Sequence, residues 1–220
     1  MDFFSEYGTM LLIATGQTLL MTGISVVASY LLGAPLGILA FITAPTSITP
    51  HKNLYTVLDW AINLTRSVPF IILMFAIVPF TQLLVGTTIG PKGAIVPLTV
   101  AAIPFVARMV QSALGEVDKG IIESTKAMGA TNFQIVTRAL LPECLPSLLS
   151  GMSITSITLL GYTAMAGTVG GGGLGDVAIR YGYYRYQPNV MFACMVVLVL
   201  VVQLIQFGFD RLVKKIDKNV

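Results

Sequence analysis

Apolar positions in this chain run on for stretches far longer than a soluble helix needs. Residues 7–50 carry no charge at all, and their most continuous apolar part lies between about Gln17 and Ile42. A second uncharged run, Ser67 to Gly86, starts directly after Arg66. Gly93 to Ala107 is a third, which Arg108 and the polar turn behind it extend to full length. The fourth is Cys144 to Gly175, with its helix expected to stop near the glycines at 170–173, and the fifth is Tyr186 to Phe209. A helix crossing a bilayer needs roughly 20 predominantly apolar residues. The pattern therefore predicts an all-α membrane protein with spans at about 17–42, 67–86, 93–112, 147–169 and 187–209. These make up one transmembrane domain over residues 11–209, followed by a basic tail at 210–220.

Composition agrees. Of 220 residues, 55% are hydrophobic and 10% charged, with mean hydropathy +0.83. Soluble domains carry about 25% charged residues, so this chain has too little polar surface to be kept in water, and lipid must serve as part of its solvent. The acidic start, with Asp2 and Glu6, lacks the basic opening of a cleavable signal and is expected to remain as a membrane helix. Cys144 and Cys194 lie in or beside apolar runs and read as buried free thiols, and His51 has no ligand-type partner near it in sequence.

Five crossings put the termini on opposite sides. With the N-terminus outside, the inner segments hold Lys52, Arg66, Arg108, Lys119, Lys126, Arg138, Arg211, Lys214, Lys215 and Lys218. The outer segments hold only Lys92, Arg180 and Arg185. Ten against three follows the positive-inside rule, which predicts a cytoplasmic C-terminus. Pro35, Pro69, Pro79, Pro97 and Pro104 fall within the spans, beside Gly33 and Gly37. They fit either kinked packing through small residues or a bundle built to bend and open.

The sizeable hydrophilic stretch, about residues 113–142, is predicted on the inner side as two short helices. Asp118 is a candidate N-cap for the first, which runs to Met128 and ends at Gly129. Thr131 and Gln134 have capping-box spacing for the second, and Leu141-Pro142 is expected to close it. Lys119, Lys126 and Arg138 are matched by Glu116, Asp118 and Glu123, so this knuckle has little electrostatic drive toward nucleic-acid phosphates. Docking on a protein suits it better, with the small Ala127, Gly129 and Ala130 allowing close backbone approach.

The run Glu123-Ser124-Thr125-Lys126-Ala127-Met128-Gly129, with Leu141-Pro142 downstream, resembles the EAA loop of permease subunits in binding-protein-dependent ABC importers of the type I fold. Ser124 and Thr125 stand where the family has Ala, and Ala139 where it has Ile. Arg66-Ser67-Val68-Pro69-Phe70 resembles the segment opening a span in amino-acid permeases, and Gly171-Gly172-Gly173-Leu174-Gly175 resembles the glycine turn after the fourth helix. Overall the chain is most similar to the methionine-uptake subgroup. That resemblance implies a homodimeric pore for methionine in a bacterial cytoplasmic membrane. It also implies two cytoplasmic ATPase subunits docked on residues 123–131 through Ala130 and Thr131, and an extracytoplasmic binding protein or lipoprotein outside. This chain would hold no cofactor, with ATP and Mg in the ATPase.

No Walker-type G-x-x-x-x-G-K-[ST] occurs, so a P-loop for ATP must reside in another subunit. Gly170, Gly172 and Gly175 satisfy G-x-G-x-x-G formally, but they follow a membrane helix rather than a strand and read as a tight re-entry turn. The chain carries no nucleophile–base set, which argues against an enzyme. The rival to an ATP-driven permease, for methionine or another small neutral solute, is an ion-coupled secondary transporter. Such proteins place ionisable groups inside their spans, whereas the five apolar cores lack them. Tyr162 and Met165, in a Gly- and Ala-rich part of the fourth span, are the candidate pore and gate residues.

Overall fold

The computed structural model describes residues 3–216, and among them every regular element is a helix. Its helices are α1 (Phe3–Thr43), α2 (Lys52–Arg66), α3 (Phe70–Ala76), α4 (Val78–Val85), α5 (Gly90–Gly115) and α6 (Lys119–Ala127). Then come α7 (Asn132–Gln134), a π-helical stretch (Ile135–Leu140), α8 (Leu141–Glu143) and α9 (Leu145–Gly167). The chain ends in α10 (Gly173–Val177), a second π stretch (Ala178–Tyr183) and α11 (Pro188–Ile216).

Four of these, α1, α5, α9 and α11, are long and apolar enough to cross a membrane. Residues 67–86, expected to be one span with Pro69 and Pro79 as sites of kinking, form α3 and α4 with a break at Ile77. Pro79 causes it, because its ring lacks an N–H and would collide with the Phe75 carbonyl in a continuous helix. A sharper bend of 99° separates α2 from α3, at Ser67-Val68-Pro69, where Pro69 drives Val68 out of helical geometry. α2 was not foreseen as a helix. At the C-terminus α11 continues through the start of the predicted tail to Ile216, and residues 217–220 lie outside the described residues.

α1 and α5 lie side by side and run parallel, with Gly33 against Ile103 and Val106 and Gly37 against Ala107 and Val110. α9 returns antiparallel, its Gly151 facing Met109 of α5 and Tyr30 of α1. Three buried hydroxyls in this apolar body bond back to their own helices: Thr155 donates to the Gly151 carbonyl, Ser156 to Met152 and Ser29 to Val26, so these side chains are satisfied without water. The outward faces of α1 and α11 carry exposed Leu12, Leu31, Leu200, Leu204 and Phe207, the surface expected of helices solvated by acyl chains. Cys144 and Cys194 are buried free thiols.

The far end of the bundle is tied by the glycine turn. The Gln17 side-chain carbonyl accepts from the Gly173 N–H at 2.9 Å, and the Thr18 hydroxyl accepts from the Leu174 N–H at 2.9 Å. A Cβ on Gly167 or Gly175 would overlap backbone opposite, so the turn does bring helices into close contact. The hydrophilic loop 116–144 caps the other end.

Candidate functional site: an exposed elbow and a charged cavity

The loop folds as two helical arms around Gly129. Asp118 caps α6 by accepting from the Gly120 N–H at 2.6 Å. The arm stops because Gly129 sits at φ +80, a left-handed geometry that glycine adopts without steric cost. Thr131 and Gln134 form the expected capping box: the Thr131 N–H donates to Oε1 of Gln134 at 2.9 Å and the Gln134 N–H to Oγ1 of Thr131 at 3.3 Å. Leu141-Pro142 does not close the second arm, which continues through Glu143. The π-helical stretch ahead of Pro142 widens the turn, so the ring needs neither its missing N–H nor the space at the Arg138 carbonyl.

One side of this elbow is welded to the bundle. Ile135, Val136 and Leu140 pack with Val110, Ala113 and Leu114 at the end of α5, with Val117 just past it and with Ile48. Ser147 of α9 adds a 2.7 Å hydrogen bond to the Glu116 carboxylate. The other side meets only solvent. α6 has no buried residue. Glu123, Ser124, Lys126, Ala127, Met128, Gly129 and Thr131 are exposed, while Thr125 and Ala130 are half-buried. Met128 is 79% exposed, and Phe133, which sequence reasoning missed, is 77% exposed. A rigid arm that offers two large apolar side chains to water is built to be covered.

The candidate pore residues do not converge. Tyr162 stacks flat on Phe70, centroids 4.5 Å apart and planes within 2°. It lines a cavity of about 240 Å³ with Thr65, Arg66, Leu73, Ala101 and Phe105. Met165, 48% exposed, lies outside that cavity. It belongs to an outward stripe of α9, namely Ser150, Ile154, Thr158, Gly161, Met165 and Thr168. Apart from Ile154 and Met165 that stripe is small and polar, where α1 and α11 are greasy.

Two cations counted with the inner segments make contacts across the helices: Arg108, at the end of the third predicted span, and Arg66, exposed at the end of α2. Arg108 lies within α5 and pairs with Asp59 of α2 at 2.9 Å, while its guanidinium also donates to Asn63 and Gln111. Arg66 lies over the Phe105 ring, 6.0 Å from its centroid. The signal for both was present: Lys52, Thr56, Asp59, Asn63 and Arg66 form one polar stripe at helical spacing.

Residues 33–220 match the family described as "binding-protein-dependent transport system inner membrane component". The chain belongs to this family. A relative described as a probable D-methionine transport system permease protein, MetI, from Vibrio cholerae is 49% identical over 98% of this chain and 96% of its own length. The MetI protein of Escherichia coli K12 is 50% identical over 69% of this chain and 70% of its own. A chain of the inward-facing MetNI methionine ABC transporter superposes with TM-score 0.95 at 46% identity, covering 99% of this chain and 100% of that one. An amino acid ABC transporter crystallised with histidines, at 18% identity and TM-score 0.74, shares the fold. The permease is thus an all-helical membrane subunit with the type I ABC importer fold, and the exposed elbow sits on the residues that resemble the EAA loop.

Proposed function

We propose that this permease forms the pore of an ATP-driven importer of methionine, D, L or both, as a homodimer with two cytoplasmic ATPase subunits. The observation that carries the proposal is the elbow, held rigidly by α5 and α9 on one side and presenting Glu123 to Thr131 with exposed Met128 and Phe133 on the other. ATP and Mg act in the ATPase, and this chain transmits the stroke. ATP binding draws the two ATPases and both elbows together and favours an outward-facing bundle; hydrolysis releases them. Nucleotide drives that change only through its different affinity for the two states. The names and identities of the relatives support methionine as substrate. An extracytoplasmic binding protein docks at the far end, near Lys92, Asp176, Arg180 and Arg185, where Arg180 pairs with Asp176 at 2.8 Å.

In this reading the N-terminus is outside and the elbow and C-terminus are cytoplasmic, in the cytoplasmic membrane of a bacterium. Cysteine labelling tests it. Burial pushes the Cys144 thiol up to about 11, so about one in ten thousand of these groups is thiolate at pH 7. Thr131→Cys is expected to react with an impermeant maleimide in inverted vesicles and to stay unlabelled in intact cells over the native background. Labelling from outside cells would reverse the topology and remove the ATPase contact.

The outward stripe of α9, small and polar apart from Ile154 and Met165, faces the pore and the second copy, with Met165 narrowing the path. Met165→Ala is expected to raise ATP-independent leak of methionine from proteoliposomes several-fold, and a leak equal to wild type would discard the gate. The whole proposal is tested by reconstituting the permease with its ATPase and binding protein. Uptake of labelled D- and L-methionine, but not of bulky or charged amino acids, is the expected result; ATP-independent uptake driven by an ion gradient would refute it.

A further inference from the structure

We propose that Arg66 and the aromatic cavity around it form a transit site within the bundle, where the guanidinium holds the carboxylate of the passing amino acid. The inference rests on the importer reading above and adds a binding residue to it.

Depth comes first. The cavity is walled by Ala101 and Phe105, which stand roughly 14 and 20 Å along α5 from Lys92. They straddle the middle of a hydrocarbon core about 30 Å thick. A charge at that level is costly and is kept where it faces a cavity or a partner. Arg108 has its partner in Asp59, and Arg180 has Asp176. Arg66 has neither a hydrogen-bond acceptor nor an ion pair among the described residues, only the face of Phe105. Asp59, the acidic group about two turns back on α2, is already held by Arg108 and by Asn63.

Shape and chemistry then select the occupant. A guanidinium is a planar fork matched to two carboxylate oxygens. Beside it, Phe70 and Tyr162 are stacked ring on ring, with Leu73 adding an apolar side chain to that wall and Thr65 a polar one to the cavity lining. Aromatic rings and thioether sulfur attract one another, so a carboxylate at Arg66 leaves a flexible apolar side chain against that wall. The bend between α2 and α3 supplies the remaining pole: no backbone N–H among the described residues donates to the carbonyls of Arg66, Ser67 or Val68. Carbonyls freed by a broken membrane helix are acceptors for an ammonium group. A zwitterion is thereby matched at both ends, where a simple anion or an amine is matched at one.

The test uses the assembled permease–ATPase complex, without nucleotide, and labelled L-methionine as probe. Wild type is expected to bind it weakly and saturably, with L-methionine competing and the carboxylate-free amine 3-(methylthio)propylamine failing to compete. Arg66→Ala is expected to weaken binding and to lower maximal uptake per assembled complex roughly ten- to hundredfold, with Arg66→Lys recovering part of it. Equal competition by the amine overturns the site in the wild-type protein, whether or not any variant folds. Wild-type binding in Arg66→Ala overturns it as well, and so does dissociation of the permease dimer in Arg66→Ala with recovery in Arg66→Lys, which would make Arg66 an inter-subunit ion pair. A wild-type complex that takes up no amino acid at all refutes the importer reading itself, a result separate from every comparison between variants.

Discussion

Glu123→Arg combined with Gly129→Asp is expected to strip the ATPase from the purified permease, with less than a hundredth of the wild-type ATPase retained, while membrane insertion and dimerisation persist. The changes fall on the face of the elbow that the bundle does not use: Glu123 and Gly129 are exposed, while α6 meets the bundle through Ile121 and Ile122 on its other face. They are severe for a partner. Asp at φ +80 costs about 1 kcal/mol relative to glycine, and its carboxylate enters the one point where backbone can approach closely. An unpaired charge buried at a contact costs several kcal/mol, and reversal at Glu123 adds a second. The apolar anchors are a milder probe. Covering Met128 or Phe133 is worth about 1.5–3 kcal/mol each, so Phe133→Ala alone is expected to weaken association roughly tenfold or more. Size-exclusion of the complex after affinity capture of the permease reads both results. Full retention of ATPase by the double variant would remove the coupling role from residues 123–131.

The elbow was legible because its determinants are local. Asp118, Thr131 and Gln134 act on backbone groups within a few residues and make the bonds their positions forecast, and Gly129 takes the left-handed geometry expected of it. Charge-free runs likewise marked the four long helices, since lipid leaves little choice of residue over roughly 20 positions. The middle of the chain was harder. Hydropathy averages over a window and cannot see a 99° bend, so the run after Arg66 read as one span with kinking prolines, and Arg66 as an inner-side charge at its start. Asp59 and Arg108 are 49 positions apart, and nothing in the sequence joins them until α2 folds against α5. The second arm misled for a related reason: Leu141-Pro142 is a stop in an α-helix, but a π turn passes it. Phe133 was hidden by its setting, one aromatic in a polar segment whose outward direction depends on Ile135 and Leu140 being buried behind it.

Gly33→Leu or Gly37→Leu is expected to abolish recovery of a folded permease from detergent, and the reason lies in how α1 meets α5. A Cβ at Gly33 would stand 2.6 Å from the Ile103 carbonyl oxygen and 3.0 Å from the Val106 Cβ, and one at Gly37 would press on the Ala107 carbonyl. These are backbone atoms and branch points, which no rotamer change can move. Without water to drive helices together, association in lipid depends on such close backbone approach, so separating α1 from α5 loosens the contact on which α9 also packs. Even Ala at either position forces the helices apart, with overpacking of about 1–3 kcal/mol and a lowered melting temperature. Gly16 and Gly23 lie on the same helix, and a methyl added at either would meet nothing within 4 Å. Ala there is expected to leave melting unchanged or raise it slightly, since Gly in a helix interior is worse than Ala by about 1 kcal/mol. Thermal melts of the four Ala variants followed by size-exclusion decide the matter. Equal melting of Gly33→Ala and Gly23→Ala would mean that α1 and α5 are not joined through their glycines, and that the parallel pair at the centre of the fold is held by something else.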